Sequence, residues 1–333
     1  MENTIANSSD FLFLYEASQC NPNGDPDQEN KPRMDYDTKT NLVTDTRVKR
    51  FIRDYLKAIN EDEVIFVDIE GERQVTMDAK LEAVVKRTLS DKSLIERIFS
   101  DNEKAKKGYL KLLEESKGEE AFWKNLKDKK LKETNVALLR YLVKEQFIDI
   151  RLFGSAFAVE GFTKAYTGPV QLNWGYSLNK VELMNSDSIV TIMNDDSSTF
   201  GKDYRVHYSL LAFNGTINKF AAKTTGLTEA DLKIFRDAIW QAIPAMPTRS
   251  KLNQYPKLYV ELIYNEGYPN GQFGDLRNYV EARPENGLDE KKVRKFNDLE
   301  LDLSKLETLI QNHKGKEIKD VIIRTSTDLS FSV

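Results

Sequence analysis

The sequence predicts an α+β fold whose core elements run β-α-β-β-α-β, and three observations carry that prediction. Two helical faces stand out, at 45–59 and 228–243, each next to segments of strand character. A two-residue alternation runs through 170–180, within PVQLNWGYSLNKV (169–181). No proline occurs from Arg33 to Gly168, and much of that stretch shows lysine- and glutamate-rich helical periodicity that interrupts the core as an insertion. The element order is the split βαβ of ferredoxin-like and RNA-recognition folds, in which two helices cover one face of an antiparallel sheet and the other face is free for use.

The first element, 11–17 (FLFLYEA), is an apolar run that stops at the turn-rich NPNGDPDQENKPR, as expected of a buried strand feeding a long polar loop. Val48, Phe51, Ile52, Tyr55, Leu56 and Ile59 share one helical face, with Thr44 or Asp45 as N-cap. Residues 64–77 predict a hairpin turning at Glu70-Gly71, and 79–99, 104–115 and 134–146 predict helices, so 60–147 reads as inserted. Strand character returns at 148–159. At 170–180, Val170, Leu172, Trp174, Tyr176 and Leu178 form the buried side, with Gln171, Asn173, Gly175, Ser177 and Asn179 opposite. Residues 184–205 combine a short apolar centre with a polar tip, which suggests a protruding hairpin. A strand follows at 206–217. Thr228 and Asp231 form a capping-box-like pair, and Leu232, Phe235, Ile239, Ala242 and Ile243 share a helical face until Pro244. KLYVELIYNEG gives a last strand at 257–265, and 266–333 joins a Gly-rich connector to an amphipathic segment at 299–312.

Composition narrows the function classes. Of 333 residues, 40% are hydrophobic, and 49 Lys+Arg against 53 Asp+Glu leave a net charge of −4. A polyanion partner must therefore be met by local charge. Cys20 is the only cysteine, and the two histidines, His207 and His313, lie far apart, which excludes a disulfide framework and argues against a Cys/His zinc site. No signal-like or membrane-spanning stretch is present, so a cytoplasmic protein with no membrane partner is expected. Phosphate-binding loops, dinucleotide fingerprints, nucleophile elbows and H-E-x-x-H are absent. Asp25, Asp27 and Glu29 alternate in a way that suggests a calcium loop. Counted from Asp25, however, the sixth position is Asn30 rather than glycine and the twelfth is Tyr36 rather than glutamate. A turn-setting surface loop and a catalytic carboxylate remain open for it.

Local charge differs from net charge. Between Lys39 and Lys57, six bases face two acids; from Lys202 to Val260, nine face four, and 244–260 holds no acid. Basic residues interleaved with Tyr, Asn, Ser and Thr suit a phosphate backbone with occasional stacked bases. The bland alternative is a solvated face, which the ten lysines and eight acids of 101–133 illustrate.

The blocks CNPNGDPDQENKPRMD (20–35), NLVTDTRVKRFIRDY (41–55), DIRLFGSAF (149–157), YTGPVQLNWGYSLNKVE (166–182), SSTFGKDYRVHYSLLAFNGTINKFAAKTTGLT (197–228) and IWQAIPAMPTRSKLNQYPKLYVE (239–261) together resemble one family. It is the backbone subunit of type I CRISPR Cascade surveillance complexes, the Cas seven family, in its type I-B branch. The resemblance implies an RNA-recognition-type palm (10–59, 148–183 and 206–265), helical fingers (60–147), a thumb hairpin (184–205) and a C-terminal segment (266–333) that completes the palm and web. It implies a non-enzymatic subunit without cofactor or metal that polymerises along a CRISPR guide RNA and presents it to target DNA in antiviral defence. The other implied partners are neighbouring copies, the large subunit, the subunit capping the guide 5′ end and the guide-processing endonuclease. Guide contacts carried over from the family fall on Arg33, Thr44, Lys49, Arg50 and Arg53, with Lys49 heading the set. Gly154, Ser155, Arg249, Lys251 and Asn253 are further candidates, and Met193, Phe200, Lys202 and Arg205 are placed by position in the thumb. Relatives in the wider superfamily cleave RNA with a first-loop aspartate, which leaves a metal-dependent ribonuclease using Asp25 or Asp27 as the alternative.

Overall fold

The computed structural model describes residues 4–60, 64–70, 73–74, 76–184, 187–191 and 199–333, with backbone only at 69–70, 73–74, 187–191, 199–201. The chain forms two compact units. One comprises Met1–Thr4, Leu56–Pro169 and Phe220–Leu232; the other comprises Ile5–Tyr55, Val170–Lys219 and Lys233–Val333.

The second unit is built on one antiparallel sheet. Across it lie Ile318–Thr325, Gln254–Tyr264, Ser9–Cys20, Val206–Ile217, then Gly175–Ser177, Thr40–Val43 and Met34–Asp35, with Val170–Leu172 also paired to Val206–Ile217. The four strands expected from the sequence are thus adjacent, in the order fourth, first, third, second. Phe13 stands opposite both Phe213 and Tyr259, which fixes the register at the centre. Alternation along Ser9–Cys20 then sorts side chains onto two faces. Phe11, Phe13 and Tyr15 meet Phe213, Tyr259 and, from the helix Glu229–Ala245, Phe235, with ring centroids 5.6–6.4 Å apart. Tyr55 of the helix Asp45–Ile59 donates to Gln241 at 2.5 Å, tying the two helices together.

The opposite face is not free, contrary to the expectation from element order. Leu12, Leu14, Leu258, Val260 and Leu262 pack against Leu276, Val280, Leu303, Leu306, Leu309 and Ile310 of the C-terminal segment. This segment brings the helix Ser304–His313 and the additional strand Ile318–Thr325. Both faces of the first strand are therefore core, and residues 11–15 have no exposed surface.

The 170–180 alternation breaks in the middle. Val170 and Leu172 are buried, but Trp174 is 49% exposed, and beyond it Gly175, Ser177 and Asn179 are the buried positions. The cause is Gly175: a Cβ there would stand 2.3 Å from the Phe213 ring, so the strand approaches that ring as only glycine allows. Ser177 donates to the Asn179 carbonyl and accepts from the Asn41 amide, while Asn179 accepts from the Leu210 amide. The buried side is polar but hydrogen-bonded.

Among the described residues, the first unit contains the helices from Met77–Thr88 to Ile148–Phe153, most of Lys219–Thr225, and the hairpin Gly154–Val159 with Phe162–Thr167. Its core joins Leu81, Val85, Phe99, Tyr109, Phe122, Leu138 and Phe147 to Phe157, Phe162 and Tyr166, so residues beyond 147 belong with these helices. The expected helix 79–99 is two helices, because Asp91 caps Lys92–Ile98 by accepting from the Leu94 amide. Residues 148–153 are a helical turn rather than strand; burial all round conceals its period, and Asp149 accepts from the amides of Phe66 and Val67. Gly154 ends it at φ 72°, where a Cβ would lie 2.1 Å from the Tyr166 carbonyl. The hairpin at 69–74 is present as Ile69–Glu70 with Arg73–Gln74; its turn at Gly71 lies outside the described residues.

Leu306 is fully buried against the sheet. Leu306→Ala should lower unfolding free energy by about 2–5 kcal/mol in urea titrations; a loss under about 0.5 kcal/mol would mean that this face is not packed.

Candidate nucleic-acid interface

With both faces closed, exposed chemistry collects at the ends of the first strand. At its C-terminal end the chain bends through 21–44 into the helix Asp45–Ile59. Loop 246–253 is laced to this end: the Ser18 amide donates to the Asn253 carbonyl at 3.0 Å and the Asn21 amide to the Ser250 carbonyl at 2.8 Å. Asn253 takes φ 64°, a left-handed turn that asparagine tolerates. Asn23 closes the other side, its side-chain oxygen accepting from both the amide and the hydroxyl of Thr44 at 2.9 Å. Thr44 in turn caps the helix by accepting from the Arg47 amide at 3.2 Å.

These loops bring together several residues expected from sequence. Lys251 donates its ammonium to the Asn21 carbonyl, and Arg205 donates to the Gln19 carbonyl at 2.9 Å while pairing with Asp203. Arg249 also reaches Asp203, at 3.2 Å, and its side chain is 65% exposed. Lys202 pairs with Glu29 at 3.0 Å. Arg33 pairs with Asp25 at 3.3 Å, and its guanidinium lies 5.8 Å from the ring of the exposed Trp174.

Arg47 was not singled out from the sequence, yet it is central. Its guanidinium stacks 3.9 Å from the Phe51 ring, and its Nε is buried with no hydrogen-bond partner. Burial pushes its pKa down. Burial first, and then the Arg47 charge, lower Lys251 to about 8, with Cys20 acting weakly the other way. Among the described residues, no carboxylate forms a salt bridge with Arg47 or Lys251. Asn21, Asn41 and Gln254 nearby are almost fully buried, and each keeps one side-chain oxygen unpartnered. Lys31, 5.0 Å over the Tyr204 ring, is another addition. The sequence signal for Arg47 was its i, i+4 spacing to Phe51 on a helix opening beside the loop.

Other expected residues stand differently. Lys49 is 9% exposed and held between Asp45 at 3.0 Å and Gln171 at 3.2 Å. Arg50 pairs with Asp54 at 2.6 Å, and Arg53 is half-buried further along the helix. Gly154 and Ser155 belong to the other unit. The 184–205 segment contains the paired strands Asp187–Thr191 and Thr199–Asp203, with the Phe200 backbone opposite Val190; Met193 lies outside the described residues.

The acidic loop is engaged within the fold. Asp25 caps a short helical turn by accepting from the Asp27 amide and also pairs with Arg33, while Lys202 and Tyr204 hold the Glu29 carboxylate below its ordinary range. Among the described residues, no group of three or more His, Cys, Asp or Glu is placed to hold a metal ion. Burial pushes the Cys20 thiol up to about 12, far from a thiolate nucleophile at neutral pH. No helix among the described residues is long and apolar enough to cross a membrane.

One structural comparison agrees with this picture of a mixed helix-and-sheet chain. A chain of a solved "CRISPR RNA-guided surveillance complex, pre-nicking" superposes with a TM-score of 0.52 at 12% identity, covering 98% of this chain and 94% of its own. Another, from a "CRISPR RNA-guided surveillance complex", gives 0.39 at 10% identity, covering 78% and 70%. A CRISPR-associated protein Cas7 from Haloferax volcanii is 29% identical over 330 residues, 92% of this chain and 84% of the relative. The family described as CRISPR-associated protein Cas7 matches residues 7–304, nearly the whole of the two units, and the chain belongs to that family.

Proposed function

We propose that this protein is the backbone subunit of a type I-B Cascade complex, holding a CRISPR guide RNA by its phosphates and leaving the bases to pair with target DNA in antiviral defence. The observation that carries this reading is the Arg47–Lys251 pair: two half-buried cations, the charge of one acting on the other, with no carboxylate salt bridge among the described residues, at the end of a strand whose faces are closed. Holding two like charges together in a desolvated place is unfavourable until an anion arrives. Arg205, Arg249, Lys202 and Arg33 surround the pair with cations whose ion pairs can exchange for phosphate, and exposed Trp174 and Tyr255 offer rings for base stacking.

In this reading the βαββαβ sheet is an RNA-recognition-type palm that uses the end of its central strand, the helices of 60–147 are fingers, and 184–205 is the thumb. Copies of the chain polymerise along the guide in the cytoplasm, beside the large subunit, the 5′-end cap subunit and the guide-processing endonuclease. Lys49 then acts by orienting the helix start through Asp45 and Gln171. The ribonuclease alternative is the weaker one, because Asp25 is already spent on Arg33 and a helix cap.

Replacing Arg47 and Lys251 together by alanine should weaken single-stranded RNA binding about tenfold or more. It should also flatten the salt dependence of log K by roughly 1.4, at ~0.7 per lost phosphate contact on a single strand. Unchanged affinity in a folded double variant would refute the assignment.

A pH series gives a second test. Free Lys251 loses its proton near pH 8, below the ordinary 10.5 for lysine; a bound phosphate favours the charged form, so binding takes up a proton above pH 8. Log K should fall with rising pH from about 8 to 9.5, with a slope approaching −1, and the fall should disappear in Lys251→Ala. For the RNA-free protein the sign is opposite: the unfolded chain binds more protons between about pH 8 and 10.5, so this residue makes stability rise with pH there.

Incubation with Mg²⁺ or Mn²⁺ should leave bound RNA uncut in the wild type and in Asp25→Ala/Asp27→Ala alike. Regular cleavage lost only in that double variant would establish the ribonuclease.

A further inference from the structure

The surroundings of Lys251 permit a covalent chemistry that contact with phosphate does not use. Its loop is fixed in place: the Asn21 amide donates to the Ser250 carbonyl at 2.8 Å, the Lys251 amide to the Thr248 carbonyl at 2.9 Å, and the Gln254 side chain to the Lys251 carbonyl at 2.8 Å. The Lys251 side chain is half-buried, and among the described residues its Nζ makes one hydrogen bond, to the Asn21 carbonyl. A carbonyl takes one N–H, so a neutral amine keeps that bond and leaves its lone pair free. The buried Lys49, Lys80 and Lys257 are placed differently, since each meets a carboxylate, at 3.0, 3.6 and 2.6 Å.

Burial and a neighbouring cation are the two influences that make a lysine nucleophilic near neutral pH. Both act on Lys251, burial first and then the Arg47 charge, with the Cys20 thiol opposing them weakly. With Lys251 lowered to about 8, about a quarter of its side chains are neutral at pH 7.5, against about one in a thousand for an ordinary lysine.

A group that can hold a phosphate lies beside this amine. Arg205 donates to the Gln19 carbonyl at 2.9 Å, two residues before the carbonyl that Lys251 meets, and both Lys251 and Arg205 act on the Cys20 thiol between them. Arg205 and Arg249 share one oxygen of Asp203, at 2.8 and 3.2 Å. Two guanidiniums on one carboxylate leave a net positive charge, and the Arg249 side chain, 65% exposed, is open to an anion from solvent.

We propose that Lys251 is a site of acylation by small acyl phosphates, whose phosphate is held by Arg205 and Arg249 while the Lys251 amine attacks the acyl carbon. The N–C bond forms, the bond from that carbon to the phosphate oxygen breaks, inorganic phosphate leaves with the electron pair, and the nitrogen releases one proton to solvent. The product is a neutral amide, so one of the two cations of the Arg47–Lys251 pair is lost. Acylation then silences RNA binding in the free chain, and bound RNA shields the amine. That silencing rests on the function proposed above; the acylation itself does not.

The full-length chain, free of RNA, would be incubated at pH 7.5 with acetyl phosphate or with the uncharged N-acetoxysuccinimide, and acetylation rates at each lysine read by peptide mass spectrometry. Acetyl phosphate should label Lys251 about tenfold or more faster than the exposed Lys124 and Lys129. Inorganic phosphate at matched ionic strength should slow Lys251 severalfold and leave the exposed lysines unaffected. A Lys251 rate no higher than theirs would overturn the proposal, and so would a preference that is equal for both reagents and insensitive to phosphate. A mixed-sequence single-stranded RNA, added first, should protect Lys251, and protein acetylated there should bind that RNA as weakly as Lys251→Ala. Selective acetylation that RNA does not slow, with RNA affinity unchanged by it, would uphold the acylation site and remove Lys251 from the RNA interface.

Discussion

The fold of the second unit turns on one constraint: its central strand is buried on both faces. Phe11, Phe13 and Tyr15 are locked under the helices, and Leu12 and Leu14 under the C-terminal segment. A sheet closed in this way cannot present bases with a flat aromatic platform, as open RNA-recognition sheets do. Whatever the unit binds must meet the ends of strands, the loops that join them or the helix starts. Strand ends and loops are also where a rigid scaffold can hold functional groups without disturbing its core.

The two ends of the central strand have opposite chemistry. At the N-terminal end the carboxylates are buried and satisfied. Asp10 accepts from Tyr264, Asn270 and the Gly271 amide, and Glu261 accepts from Ser9, Tyr259 and Arg236. These groups pin the connector after 265 and the helix Glu229–Ala245 to the sheet, and their hydrogen-bonding capacity is used in doing so. At the C-terminal end, cations gather among the described residues, and the Arg47 charge acts on the half-buried Lys251. The asymmetry gives the sheet one end whose charges are satisfied and one end where cations gather, although the chain as a whole is acidic at −4. A local field of this kind attracts polyanions without a basic overall composition.

Local signals were legible in the sequence. The helix Asp45–Ile59 matches its apolar periodicity, the strand Val206–Ile217 stands where a strand was expected, and Thr228 and Asp231 exchange both hydrogen bonds of a capping box. Signals that depend on distant contacts were not legible. The phase break at Trp174 is set by the Phe213 ring under Gly175, and the helix Ile148–Phe153 has no polar side to reveal its period. The closing of the second sheet face involves the strand Ile318–Thr325, whose residues IKDVIIRT show no two-residue alternation to mark it or where it would pair. At the site, charge and residue type could be read, but the state of pairing could not. Lys49 and Arg47 sit two residues apart on one helix, yet Asp45 and Gln171 occupy Lys49, while Arg47 turns onto Phe51 and forms no carboxylate salt bridge among the described residues.

The central claim is that nucleic acid is met at the end of the central strand and not on the sheet face. Ultraviolet crosslinking of RNA that copurifies with the protein, followed by mass spectrometry of the crosslinked peptides, tests it most directly. The account predicts that the crosslinks in the sheet unit fall within 19–33, 44–51, 174–176 and 248–255, with none on 299–325. Crosslinks concentrated on 299–325, the segment that closes the second sheet face, with none at 44–51 or 248–255, would contradict it.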